Sequence, residues 1–469
     1  MTGTLSVILI VIVCMVAVSY GWGMRGDLIG GEEGAMLPGA LLGFFIALLL
    51  GKDFFDSSAL LMVSLGAVGM FFGGTETYAE TFDFTYWKDG DIKTASNLKK
   101  GLLGLAIKGA PWYGICAAVL GIGLSAASGR VYKPHQLIIL IVLIPVVRYI
   151  GVKLLDTPYD PDKGIFPKYY FSITRPEEWG GLWFILVTFL IFEALCNDFS
   201  SLVITLFGMV GGSLGWIIAQ LLQCFTRAKM KNGKYFFGIY QEQGRIDNWK
   251  LMECVYGALG SFFIAMGFVI CKKRVVSLAI LTHNGNGFNI PDGLQTALFV
   301  VWLLLFAADV YRNFVTEKYG KLKKALEVLH RPVLCYIPML LMFLGNADVV
   351  KFMALTVLFW QAVEELCFVQ LKKRYNIFTA SVISCILLAI VAIYTLLLPS
   401  DGINAKFFYF FICVLYLFCA SFANIAAVYG LEDSPRNIKD LVLSMGPFIT
   451  VKLYYIFCII FTTIFVITF

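Results

Sequence analysis

Long apolar runs dominate this chain. About 20 residues of apolar helix cross the hydrocarbon of a bilayer, where every backbone N–H and C=O must be paired inside the segment, so runs of that length become transmembrane helices. Fourteen candidates lie at 3–20, 35–51, 57–73, 102–125, 135–154, 179–195, 199–222, 251–271, 294–311, 332–346, 349–370, 376–399, 406–428 and 447–469. The runs at 35–51 and 332–346 are short and read as re-entrant or broken helices, which brackets the count at 12–14. Composition agrees: 59% of the 469 residues are hydrophobic and 14% charged, against roughly 25% charged in soluble domains. Neither a water-soluble globule nor a disordered chain fits that balance. The expected fold is all-α, a polytopic transmembrane helical bundle forming one membrane-embedded domain over 1–469.

The first run reads as a retained span. No Lys or Arg precedes it, and the following Gly21-Trp22-Gly23 is not a small-x-small cleavage site. Lys and Arg are concentrated on alternate connections, roughly threefold over the other set, which by the positive-inside rule places that set in the cytoplasm and both termini outside a bacterial inner membrane. The basic stretches 223–250, 312–331 and Lys372-Lys373-Arg374 read as topology determinants beside anionic headgroups. The longest connections, 74–101, 155–178 and 223–250, have no strand–helix alternation, so any chemistry belongs to the bundle or to these loops.

Several classes are disfavoured. The twelve Cys form no Cys-x-x-Cys pair, and only His135, His283 and His330 are present; neither a metal site nor a cofactor is expected. A net charge of +6 gives no support for a nucleic-acid partner. The expected partners are a small polar solute and membrane lipid.

Gly39–Leu48 reads GALLGFFIAL and Gly257–Met266 reads GALGSFFIAM. Each follows an Arg-x-Asp (Arg25 to Asp27, Arg245 to Asp247) and a carboxylate (Glu32-Glu33, Glu253). Copies six spans apart share one orientation, the pattern of a parallel duplication. It divides the chain into halves 1–198 and 199–399 with two further spans in 400–469. Gly39 and Gly43, Gly208 and Gly212, and Gly211 and Gly215 are four apart, a spacing for close helix packing.

The most unusual stretch runs from Tyr20 to Gly39. Besides Gly39 it holds six Gly, with Trp22, Arg25, Asp27, Glu32 and Glu33 among them. A permissive backbone, an aromatic face, a guanidinium and carboxylates are the parts that hold a polar organic solute. The helix start near Gly34 could also face an anion. It lacks the Gly-Lys-Ser/Thr of a P-loop. The structural alternative is a tight connection whose Arg25 pairs with Asp27 or Glu32. Gly21-Trp22-Gly23-Met24-Arg25-Gly26 followed by Gly34-Ala35-Met36 resembles a segment of an uncharacterised group of bacterial polytopic membrane proteins. The resemblance covers Gly21 to Gly39; it lends no function, and no site residue is carried over from it.

Ionised groups cost about 2.5–3.5 kcal/mol at the centre of a span and face a bundle interior or an aqueous cavity. Lys108, Arg148, Glu193, Glu253, Asp309, Glu364, Glu365 and Lys452 fall in or at the edge of runs. Gln361 and Glu365 share a helix face, with Trp360 and Glu364 beside it. Thr75–Trp87 reads as an interfacial aromatic belt, His283–Gly287 as a turn with a surface histidine, and Gly430–Arg436 as a capped loop end.

The leading expectation is a gradient-driven secondary transporter of a small polar, anionic or carbohydrate-related solute. Trp22, Arg25, Asp27, Glu32, Glu33, Lys108 and Arg148 would bind it, and Glu253, Gln361, Glu364 and Glu365 would couple it to an ion or proton. The second expectation is a multispan enzyme transferring a glycosyl or acyl group to a membrane-proximal sugar. Against it stand the missing large soluble domain and the lack of a histidine within a clear span, His135 at a span border excepted.

Overall fold

In a computed structural model of the chain, residues 4–28, 31–76, 78, 81, 95–172, 175–227, 232, 248–282, 288, 290–312 and 319–364 are described. Their helices are α1 (Thr4–Leu28), α2 (Gly31–Leu50), α3 (Lys52–Phe71), α4 (Ala95–Ala127), α5 (Pro134–Leu155) and α6 (Trp179–Leu195). After them come α7 (Phe199–Arg227), α8 (Asn248–Thr282), α9 (Asp292–Arg312), α10 (Gly320–Arg331), α11 (Ile337–Phe343) and α12 (Ala347–Glu364). The described residues form no β-strand, and nine helices among them are long and apolar enough to cross a membrane. The secondary structure of the described residues is thus helical throughout, the pattern of a multi-pass membrane protein. Helix covers most of the described part of each of the first eleven apolar runs, and residues 365–370 of the eleventh and the runs 376–399, 406–428 and 447–469 lie outside the described residues, so neither the count of fourteen nor the duplication is established.

α2 occupies the centre. Every residue from Gly34 to Leu50 is buried, between α1 on one side and α3 on the other, with α8 and α12 also against it. Such enclosure needs backbones in contact. A Cβ on Gly39 would lie 2.1 Å from the Gly66 carbonyl oxygen, and one on Gly43 would lie 1.9 Å from that of Met62. The α4–α7 contact uses the same device, with a Cβ on Gly109 falling 2.2 Å from the Gly212 carbonyl. The small-residue spacing of Gly39/Gly43 and Gly208/Gly212 therefore marks packing seams. Of the two similar decapeptides, the α2 copy is wholly buried, whereas the α8 copy alternates between buried and half-buried positions.

The outer helices keep apolar faces uncovered, as lipid-facing spans do. Ile139, Val142 and Leu154 of α5 and Val301 and Leu304 of α9 are all exposed. α10 is different: Lys321, Leu322 and Lys324 are exposed while Leu326 is buried, an amphipathic pattern. The expected run 332–346 therefore belongs to a longer helical segment that begins at Gly320. It passes through a π-helical turn at Pro332–Tyr336, where the looser ladder leaves the Val333 carbonyl to accept from Trp302 Nε1 at 2.8 Å.

Candidate functional site

The end of α1 carries Trp22 and Arg25 one turn apart, inside a box of rings. The Trp22 ring lies 5.0 Å from Trp112 and 4.7 Å from Tyr256, and Tyr256 stacks on Trp216 at 3.7 Å. Trp22 Nε1 donates to the Tyr113 hydroxyl at 2.8 Å. The Arg25 guanidinium, 5% exposed as a residue, sits 5.0 Å from the Trp22 centroid, 5.0 Å from Trp112 and 5.5 Å from Tyr78. Aromatic faces are electron-rich and attract the cation, most strongly when it is desolvated. Arg25 donates to the Tyr78 hydroxyl at 3.2 Å and the Gly31 carbonyl at 3.1 Å. Its Nε has no hydrogen-bond partner among the described residues. Tyr78 donates onward to Glu253 Oε1 at 3.0 Å, a role kept available because burial raises the phenol's pKa. Lys250 closes the box, donating to the Gly23 carbonyl at 2.6 Å with Glu253 at 3.5 Å.

Beside this box a chain of ion pairs links five helices and the connection before α6. Lys108 of α4, fully buried, donates to Glu177 at 2.6 Å and to the Thr81 hydroxyl at 2.9 Å, and lies 3.3 Å from Glu76. Burial raises the Glu76 carboxyl to about 7 against the opposing pull of Lys108. Glu178, whose N–H donates to Glu76, pairs with Arg148 of α5 and with Arg331 of α10 at 3.4 Å. Arg331 donates to Glu32 of α2 at 2.7 Å. Glu32 and Glu33 each lie 3.6 Å from His330 Nε2, while His330 Nδ1 meets Asp309 of α9 at 3.0 Å. Arg312 ends the chain, 3.3 Å from Asp309 and 3.6 Å from Glu33. Glu32 also joins network to box, since a Cβ on Gly74 would fall 2.4 Å from its Cα and 2.6 Å from the Gly31 carbonyl that Arg25 holds.

No family model, curated protein or solved structure matches the chain.

The structure brings Trp22, Arg25, Glu32, Glu33, Lys108, Arg148 and Glu253 to one end of the bundle. Arg25 does not use the expected Glu32, whose cationic partners are Arg331 and His330. The side chains of Asp27, Gln361 and Glu364 fall outside the described residues, as do Glu365, His283 and the whole of Gly430–Arg436. Within Thr75–Trp87, Glu76 and Thr81 are 4% and 0% exposed and both meet Lys108, while the aromatic residues from Phe82 to Trp87 lie outside the described residues. One reading is corrected. The histidine thought missing from the spans is present, since His330 lies within the apolar segment Gly320–Phe343. Sequence reasoning missed Glu76, Glu177, Glu178, Lys250, His330 and Arg331 as members of the site. For Glu76, Glu177 and Glu178 the signal was acidic residues on connections otherwise selected for positive charge.

A second group of buried carboxylates lies at the other end of α6, 17 residues along, which is about 25 Å of helix. Glu193 accepts from Thr205 at 2.7 Å, and Asp198 accepts from Tyr132 and Ser201, each at 2.7 Å.

Proposed function

We propose that this protein is a secondary transporter of a small anionic or polar organic solute in a bacterial inner membrane, with the polar end of the bundle toward the cytoplasm and both termini outside. The observation that carries the reading is Arg25: a buried guanidinium on aromatic faces whose Nε has no hydrogen-bond partner among the described residues. An unfilled buried donor is costly, of order 1–3 kcal/mol, and a carboxylate, phosphate or sugar oxygen would satisfy it. Trp22 and Trp112 would stack on the carbon skeleton while Arg25 takes the charge. Lys108 and Arg148 lie in the adjoining network rather than in the box, so they set the local potential. Glu253, reached from Arg25 through Tyr78, is the coupling carboxylate of this scheme: a proton on it would release Tyr78, and Tyr78 would release Arg25. Gln361, Glu364 and Glu365 stay in the proposal as a second coupling face, and a parallel duplication would place the Arg25 and Glu253 segments as paired gates.

Proteoliposomes with an entrapped pH-sensitive dye test this reading. They are challenged with monocarboxylates, dicarboxylates, sugar phosphates and neutral sugars. At least one solute should drive proton movement that Arg25→Gln and Glu253→Gln each abolish. No solute-driven flux across the panel, or flux unchanged in Arg25→Gln, contradicts it. The enzyme reading gains one observation, the His330–Asp309 pair, which has the form of an oriented general base. Turnover of a lipid-linked sugar without flux would favour that reading.

A further inference from the structure

The His330 cluster has the makings of a metal site. Three chain-distant elements deliver ligand-type atoms to one point: Glu33 from the first turn of α2, Asp309 from the last turn of α9 and His330 from the last turn of α10. Their ligand atoms all lie within 4.8 Å of one another. Glu32, outside that group, lies 3.6 Å from the same ring nitrogen as Glu33.

The separations are informative. At 3.6 Å the two glutamates are too far from Nε2 for a hydrogen bond. Two ligands held at about 2.0–2.1 Å in a tetrahedron stand roughly 3.4 Å apart, close to the separation of each glutamate from Nε2. Nδ1, on the other side of the ring, faces Asp309 at 3.0 and 3.1 Å. A carboxylate behind a histidine fixes the tautomer that leaves Nε2 as the ligand and raises its basicity.

Two cations compete for the same carboxylates, and both can be accommodated. Arg331 donates to Glu32 Oε1, leaving Oε2 toward the ring. Arg312 approaches Asp309 and Glu33 only at 3.3 and 3.6 Å, and its Nε makes no hydrogen bond among the described residues.

We propose that His330, Glu32 and Glu33 bind a divalent transition-metal ion of the zinc class, with Asp309 as the positioning residue behind the histidine. The mix of one imidazole and two carboxylates suits such an ion better than calcium or magnesium, which take oxygen ligands. The site stands apart from the transport reading, because binding needs no solute or gradient.

Equilibrium binding of Zn²⁺ to the full-length, chelator-treated protein in detergent tests it, by competition with a chromogenic chelator. One tight ion per chain is expected. His330→Ala and Glu33→Gln should each weaken it at least about 100-fold, and Asp309→Asn about 10–100-fold. His135→Ala, at an exposed histidine, should change nothing. X-ray absorption on the zinc-loaded wild type should find only nitrogen and oxygen neighbours, a readout that survives if a variant fails to fold. No retained zinc, affinity unchanged in His330→Ala, or sulfur in the coordination shell from one of the twelve Cys would each overturn the site.

Discussion

Lys108 is fully buried, and Glu76, Glu177 and Thr81 face its charge. Breaking a buried pair by removing one partner costs about 3–5 kcal/mol, since the remaining charge is left uncompensated. Lys108→Met should therefore lower the melting temperature sharply, and adding Glu177→Gln should recover part of the loss. Simple additivity in thermal denaturation would contradict the pairing. Glu76 also sets a pH dependence. Burial holds it near 7 and holds Asp156, the acceptor of the Gly180 N–H, near 8. Both keep a proton in the folded state at pH values where the unfolded chain has lost it, so ionisation opposes folding. Their contribution is greatest below about pH 4 and is lost as pH rises through 7 and 8. Melting temperature should fall across that window, and Asp156→Asn, which keeps an acceptor for Gly180, should flatten the fall. Arg25 and Trp22 were legible in the sequence because they interrupt a glycine-rich segment. Glu76 and Glu177 were not, because an acidic residue in a loop ordinarily meets water, and nothing local in Thr75–Trp87 says that Glu76 and Thr81 face Lys108.

At the scale of elements, close backbone contact is the main constraint. The 2.1 Å separation between a Gly39 Cβ and the Gly66 carbonyl leaves no room for a methyl, and α2 is enclosed on both sides. Gly39→Ala should cost about 2 kcal/mol or more through forced separation of α2 from α3. Gly293→Ala, in α9 with nothing within 4 Å, should be neutral or gain up to about 1 kcal/mol. Equal effects in denaturation would refute the seam. Helix positions were legible because hydrocarbon leaves the backbone no other solution. The start of the tenth segment was not. Its polar, lysine-rich face at 320–331 resembles a loop until Leu326 is seen to be buried and Pro332 to continue the helix through a π turn rather than open it.

For the whole molecule, the central point is convergence. Residues from α1, α2, α4, α5, α8, α9 and α10 and from the connections before α4 and α6 meet at one end. Alternation of spans predicts that the connections of one parity share a face, which is why the sequence could place Glu32, Lys108 and Glu253 on one side. It could not say which charge would meet which, because those pairings are set by helix packing rather than by spacing. The contact between Arg331 and Glu32, 2.7 Å apart across 299 residues of chain, is the pairing on which the network most depends. Charge exchange tests it directly. Melting temperatures of Glu32→Arg, Arg331→Glu and the double variant should show both single changes strongly destabilising and the double change regaining most of the loss. If the double variant is as unstable as the sum of the two, the helices do not meet there and the shared polar site is wrong.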